Sequence, residues 1–175
     1  QRQMCIRDSI QMARKIQLNS AYGAIGNQYF RYYNLRNAEA ITYGGQFSIR
    51  WIENKMNEYL NRVLKTKGED YVIASDTDSI YLNMGPLVET VYKGREKTDQ
   101  SVVGFLNKVS EMELEPYIQS SYEELAEYVS AYDQKMIMKR ENIASSGIWT
   151  AKKRYMLNVW DSEGVRYNKP KLKMM

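Results

Sequence analysis

The chain has 175 residues, of which 43% are hydrophobic, and a formal net charge of +4; this is the size of one ordinary domain, with enough apolar material to build a core. It contains no histidine and a single cysteine, Cys5, which excludes Ser-His-Asp and Cys-His catalysis, histidine-containing zinc sites and intrachain disulfides, and suits a reducing compartment. Any chemistry must run on carboxylates, Lys, Arg, Tyr or a bound metal.

The first nine residues, QRQMCIRDS, match nothing downstream in character. Met4 to Ser9 back-translates naturally to ATGTGTATAAGAGACAG, which looks like a transposon-type sequencing adaptor read as coding sequence. Residues 1–9 are therefore expected to be a scar outside the fold, with Cys5 non-native, and the natural protein to be cut at an arbitrary point. From Ile10 to about Gly26 the apolar and small residues suit a helix, with Gly23 and Gly26 weakening its end. On that helix Lys15, Asn19, Ser20, Tyr22 and Gly23 form the pattern K-x-x-x-N-S-x-Y-G. Lys15, Asn19 and Tyr22 fall at i, i+4 and i+7, so one face presents a cation, an amide and an aromatic, and Gly23 permits close approach. Such a face can bind a nucleotide; by spacing alone it can equally be an ordinary solvated helix face.

Residues 28–37, QYFRYYNLRN, read as an irregular connection. An amphipathic helix is expected from about Ala38 to Lys65, with Ile41, Phe47, Ile49, Ile52, Met56, Leu60 and Val63 toward a core and Gly68 just past its end. The period then changes. Tyr71 to Ala74 and Ile80 to Leu82 are β-rich runs flanking Ser75-Asp76-Thr77-Asp78-Ser79, a hairpin signature with an acidic tip. Two carboxylates brought together raise each other's pKa unless a cation neutralises them, so a braced acidic tip is a ready Mg²⁺ site; a solvated Asx turn is the alternative.

Beyond Gly85 and Pro86, helices are expected near 87–92, 100–112 and 115–131, then strands at 135–143 and 149–160, a turn at 161–164 and a short strand at 165–168. From Asp99 to Asp133 eight acidic residues oppose Lys108 alone, whereas from Lys139 onward nine basic residues oppose three acidic ones. This asymmetry suggests a one-sided polyanion-binding surface. Lys152, Lys153, Arg154 and Tyr155 are its densest part, read as lying on a strand with Lys152 and Arg154 on one face and Lys153 on the other. Phosphate contacts of that kind position a duplex without reading its sequence; a solvated edge is the alternative. No apolar run approaches the roughly 18 to 20 residues of a membrane span.

These three motifs, in this order, resemble the B-family DNA polymerases. The K-x-x-x-N-S-x-Y-G helix looks like motif B of the fingers, DTDS like motif C of the palm, and KKRY like the K-K-R/K-Y primer-template element. FRYYNLRNAEAIT and TAKKRYMLNV are similar to replicative polymerases of T-even-type phages in particular. The resemblance covers residues 11 to about 175. It implies an α+β fold in which a palm, with an antiparallel sheet carrying the acidic hairpin, packs on long helices and is joined by an N-terminal fingers helix. Residues 10–37 would be the end of the fingers and 38–175 the palm, with the thumb to follow.

The resemblance further implies that Asp78 bridges two Mg²⁺ ions, with Asp76 beside it as a second candidate ligand, and that Glu141, in KRE, lies near the same metals. Lys15 would contact the incoming deoxynucleoside triphosphate, Asn19, Tyr22 and Gly23 would line the nascent base pair, and Lys152 to Tyr155 would hold primer-template DNA. A sliding clamp and a host-cytoplasmic location are implied for the intact enzyme. Motif A, D-x-x-S-L-Y-P-S, supplies the second metal-binding aspartate in the family, and nothing in residues 1–14 matches it. The intact polymerase is therefore expected to be active and this fragment alone inactive. A binding module without catalysis, or the palm of another nucleotidyl transferase, are the other readings; the K-x-x-x-N-S-x-Y-G helix argues against the second.

Overall fold

In the computed structural model the described residues are 2–94, 97–151 and 153–174, with side chains from residue 9 onward. They are divided into two compact units, Gln1–Phe47 and Ser48–Met175. The boundary falls inside a helix.

The first unit holds helix α1 (Arg2–Ile25) and the start of α2 (Leu35–Leu64). Helix α1 starts eight residues before the expected Ile10, because Arg2 to Ser9 contains neither Gly nor Pro to break it. The connection is tied by Asn27, whose Oδ1 accepts from the Tyr29 N–H at 3.0 Å, and by Asn34, whose Oδ1 accepts from the Asn37 N–H at 3.1 Å. Asn34 thereby caps α2, which is why that helix begins at Leu35 rather than Ala38. Tyr22 Oη and Thr42 Oγ1 are 2.7 Å apart and join the two helices within this unit. Among its described side chains only Ala38 is buried.

The core belongs to the second unit. On α2 the expected apolar stripe is only partly used: Ile52, Met56 and Leu60 are 0–1% exposed, whereas Ile41, Phe47 and Val63 are 42–54% exposed. The stripe narrows because buried positions recur every four residues only where other elements cover the helix. Ile52 and Met56 cluster with Leu114, Ile118, Tyr122 and Leu125, each such burial contributing about 1.5–3 kcal/mol. Those partners lie on a π-helical step (Ser110–Leu114) and α5 (Glu115–Tyr128), which continue from α4 (Asp99–Val109); α3 (Gly85–Val91) precedes them. The π step occurs where the Glu115 N–H reaches back to the Ser110 carbonyl, five residues away, just before Pro116, which has no N–H to give the regular ladder. Trp51 Nε1 donates to the Ser121 carbonyl at 2.9 Å, and Lys55 pairs with Glu124 at 2.8 Å, locking α2 to α5.

Strands form two antiparallel sheets rather than the expected one: β1 (Val72–Asp76) with β2 (Ser79–Leu82), and the meander β3 (Asn142–Ala151), β4 (Arg154–Ser162), β5 (Val165–Met174). The strand expected at 135–143 is an irregular segment up to Glu141, and the one expected at 149–160 is interrupted by a turn after Ala151. The last strand extends to Met174 instead of ending near 168. Its alternating lysines hid this, because an edge strand needs no apolar face along its full length.

Two asparagines one turn apart on α2 set the entry to β1. Asn57 donates through Nδ2 to Asp70 Oδ1 and accepts the Tyr71 N–H through Oδ1, both at 2.8 Å. Asn61 donates to the Glu69 carbonyl at 2.7 Å and accepts the Glu69 N–H at 3.0 Å. On β2, Ile80 and Leu82 pack against the helical core, leaving Tyr81 on the opposite face.

Candidate active site

Asp76 pairs with Ser79 across the first hairpin, so Thr77 and Asp78 are the whole turn. The Asp78 N–H donates to the Asp76 carbonyl at 2.7 Å while Thr77 sits at φ 56°, a γ-turn with the chain in left-handed space. A β-branched residue there stores about 1–3 kcal/mol of strain and persists only when its surroundings hold it. They do: Thr77 Oγ1 donates to Asp76 Oδ1 at 3.0 Å and Ser79 Oγ to the Asp76 carbonyl at 3.2 Å.

The two carboxylates meet different neighbours. Asp78 is exposed, and the buried Tyr122 phenol of α5 is pushed up in pKa first by burial and then by the Asp78 charge. Asp76 is half-buried on the face of Tyr81. Burial, followed by its hydrogen bond to Tyr155, pushes the Tyr81 phenol up to about 12; the Asp76 charge adds to this and a hydrogen bond to Ser79 opposes it.

Tyr81 is also the link to the basic motif. Its ring lies 5.3 Å from Trp149 and 5.6 Å from Tyr155, both edge-on, and Trp149 and Tyr155 are direct cross-strand partners. Gly147 makes this possible: a Cβ there would come within 2.7 Å of Leu157 Cδ2 and 2.8 Å of Trp149 Cη2. The structure thus brings DTDS and KKRY together through aromatic and hydroxyl contacts. Their arrangement differs from the expected strand run, because Ala151 pairs with Arg154 and Lys153 lies in the turn of the β3–β4 hairpin. Lys153 is exposed in the turn at φ 61°, and Arg154, on the face opposite Tyr155, is exposed as well. Lys152 lies outside the described residues.

Glu141 is exposed immediately before β3, its carbonyl accepting the Glu163 N–H at 2.6 Å. Among the described residues no three acidic or cysteine side chains converge as a metal-holding group, so Glu141 is not gathered with Asp76 and Asp78 into one. Two carboxylates at a braced tip still match the one or two that Mg²⁺ takes from a protein, its other positions going to water and phosphate.

The remaining motif residues lie in the first unit. Lys15 and Asn19 line one open groove of about 430 Å³ together with Ile10, Gln11, Arg14 and Leu18. Tyr22 does not line it and is held by Thr42 instead, while a Cβ on Gly23 would meet nothing within 4 Å.

Two features escape sequence reasoning. One is the Tyr81–Trp149–Tyr155 cluster, whose only trace was that Tyr81 stands two residues after Ser79 and so shares its face. The other is the Arg140 guanidinium, which donates to the 2%-exposed Asp161 and to Asn107 Oδ1, while the Arg140 N–H donates to Glu115 Oε1 at 3.1 Å. This pins the residue preceding Glu141 to β4, α4 and α5.

Among the described residues no helix is long and apolar enough to cross a membrane. The family model described as DNA polymerase family B matches residues 1–173. The chain is 47% identical over 173 residues to a DNA-directed DNA polymerase of Escherichia phage RB69, and 46% identical over 173 residues to that of Enterobacteria phage T4. Each match covers 94% of this chain and 19% of the relative's length.

Proposed function

Because the chain belongs to DNA polymerase family B, we propose that it is the end of the fingers and most of the palm of a template-directed DNA polymerase, residues 10–37 and 38–175 respectively. The observation that carries this is the joining of the DTDS and KKRY hairpins through Tyr81 and Tyr155. An acidic tip and a basic tip on one scaffold are what primer extension requires: carboxylates at the reacting phosphate, cations on the DNA backbone.

In this reading Asp78, exposed at the tip, is the principal Mg²⁺ ligand and Asp76 its neighbour, while Glu141 is not gathered with them. Bound Mg²⁺ would lower the pKa of the primer 3′-hydroxyl and stabilise charge on the leaving pyrophosphate, two ions acting in the intact enzyme. Thr77 and Ser79 keep the Asp76 backbone and carboxylate oriented. Lys153, Arg154 and Tyr155, with Lys152, hold the primer-template. In the first unit Lys15 takes the triphosphate as a point charge, and Asn19, Tyr22 and Gly23 border the base pair. A sliding clamp completes the proposed partners of the intact polymerase.

This chain supplies one acidic pair, so by itself it should bind a divalent ion weakly and extend no primer. Electron paramagnetic resonance of added Mn²⁺ should show bound metal that Asp78→Asn removes, and extension assays should show no product above an Asp78→Ala control. Mn²⁺ binding indifferent to Asp78→Asn would remove the metal assignment, and Asp78-dependent extension would refute the inactivity of the fragment.

A further inference from the structure

The basic surface has a second part that no motif marks. Strand β5 is bonded to β4 alone among the described residues, so it is an edge. Along it Lys169, Lys171 and Lys173 alternate with Pro170 and Leu172. Alternation puts Lys171 and Lys173 on one face of the sheet, while Lys169 falls in the stretch where the register with β4 shifts. Register says which face: Lys173 is opposite Leu157 and Lys171 opposite Val159. Leu157 and Val159 alternate with Tyr155 along β4, and Tyr155 is paired with Trp149. Lys171 and Lys173 therefore share the face that carries Tyr155 and Trp149, where Tyr81 of the acidic hairpin packs.

Their charges are not absorbed internally. None of the three pairs with a carboxylate among the described residues. Asp161, the nearest acid by register, is taken by Arg140 and lies 4.0 Å from Arg166. Lys171 Nζ stands 4.2 Å over the Tyr167 ring, which steers the side chain along the strand without neutralising it. Lysines on alternate residues recur about every 6.7 Å. A DNA backbone carries charge densely enough for more than one of them to meet a phosphate at once.

Lysine on an edge strand has another use, which is to block pairing with a second chain. Pro170 already withholds an N–H from this edge, and Lys171 and Lys173 lie on the face beside the acidic hairpin, where they add charge as well as blocking. We infer that Lys169, Lys171 and Lys173 form a second phosphodiester-binding track, gripping the backbone of duplex DNA alongside the β3–β4 tip. It rests on the DNA-binding reading above, and extends that surface from one hairpin tip along a whole strand.

The test is the salt dependence of affinity of the 175-residue chain for a primer-template duplex with a 5′ overhang, followed by fluorescence anisotropy across a KCl series. Each phosphate neutralised contributes about 0.9 to the slope of log K against log salt concentration. Replacing all three lysines by Gln should lower that slope by about 2.7, and Lys171→Gln alone by about 0.9. Replacing all three by Arg should preserve it. Lys153→Gln with Arg154→Gln is the parallel measurement for the hairpin tip.

A slope that falls for the tip variant and stays unchanged for the β5 variants overturns this inference and leaves the tip assignment standing. Self-association of the triple Gln variant in sedimentation, with the slope of Lys171→Gln unchanged, assigns the lysines to edge protection instead. Absence of any DNA affinity in the parent chain, folded by circular dichroism, overturns both.

Discussion

Tyr81 holds a proton that water would take from it at lower pH. Burial comes first among the causes that push its phenol to about 12, the hydrogen bond to Tyr155 second, and the Asp76 charge adds to them. An unfolded tyrosine titrates near 10. Between about 10 and 12 the folded state therefore keeps a proton that the unfolded state has lost, so the associated stability is fully present below about 10 and falls as pH rises through the folded value. Tyr59, raised by burial and then Glu113, and Tyr122, raised by burial and then Asp78, push in the same direction. Urea midpoints measured from pH 9 to 12 should fall with pH in the parent, and Tyr81→Phe should fall less steeply because only the other two remain. An equally steep fall in Tyr81→Phe would show that the hydroxyl is not held between the two hairpins as described. At neutral pH Tyr81→Phe should still weaken the contact between them, since Tyr155 loses its partner.

Between elements, one fastening is a buried ion pair. Arg140, its side chain 12% exposed, bonds to the buried Asp161 and to Asn107, so β4 and α4 are tied at the entry to β3. Removing one partner of a buried ion pair leaves the other charge uncompensated and typically costs about 3–5 kcal/mol, whereas replacing both with apolar groups of like volume is far milder. Arg140→Ala should accordingly lower unfolding free energy by about 3–5 kcal/mol in urea titrations, and Arg140→Met with Asp161→Leu should recover much of it. Equal losses in both would mean that packing, not charge, is what Arg140 provides. None of this pair was legible beforehand, since Arg140 and Asp161 are twenty-one residues apart and each looks like an ordinary surface charge. Local signals fared better. The DTDS hairpin follows from β-rich runs around a polar tip, and the buried stretch of α2 from apolar residues four apart. Lys153 of KKRY was misplaced onto a strand because alternation cannot show that a turn divides two strands of similar composition. Two separate sheets were unpredictable for the same reason: sequence period reports strands, not which of them bond.

Across the whole chain burial is distributed very unequally between the two units. The second holds the helical core of Ile52, Met56, Leu114, Ile118, Tyr122 and Leu125. In the first only Ala38 is buried among the described side chains, and Leu18, Tyr29, Tyr32 and Tyr43 are all at least 67% exposed. Local opening costs least where few apolar contacts must be broken, so a helix can be regular in its backbone and still open readily. α2 is informative because it belongs to both units, with Leu35 to Phe47 in the first and Ser48 to Leu64 in the second. Helical propensity alone would protect its amides evenly apart from fraying at the ends. Tertiary burial would protect those around Ile52, Met56 and Leu60 far more strongly. Hydrogen exchange followed by mass spectrometry should therefore show residues 9–47 exchanging early, and residues 48–64 and 114–128 late, with the change of rate falling within α2. Uniformly slow exchange along all of α2 would mean that the first unit is stabilised by something other than the burial seen within it, and its wide apolar exposure would then have to be covered when the protein is in solution.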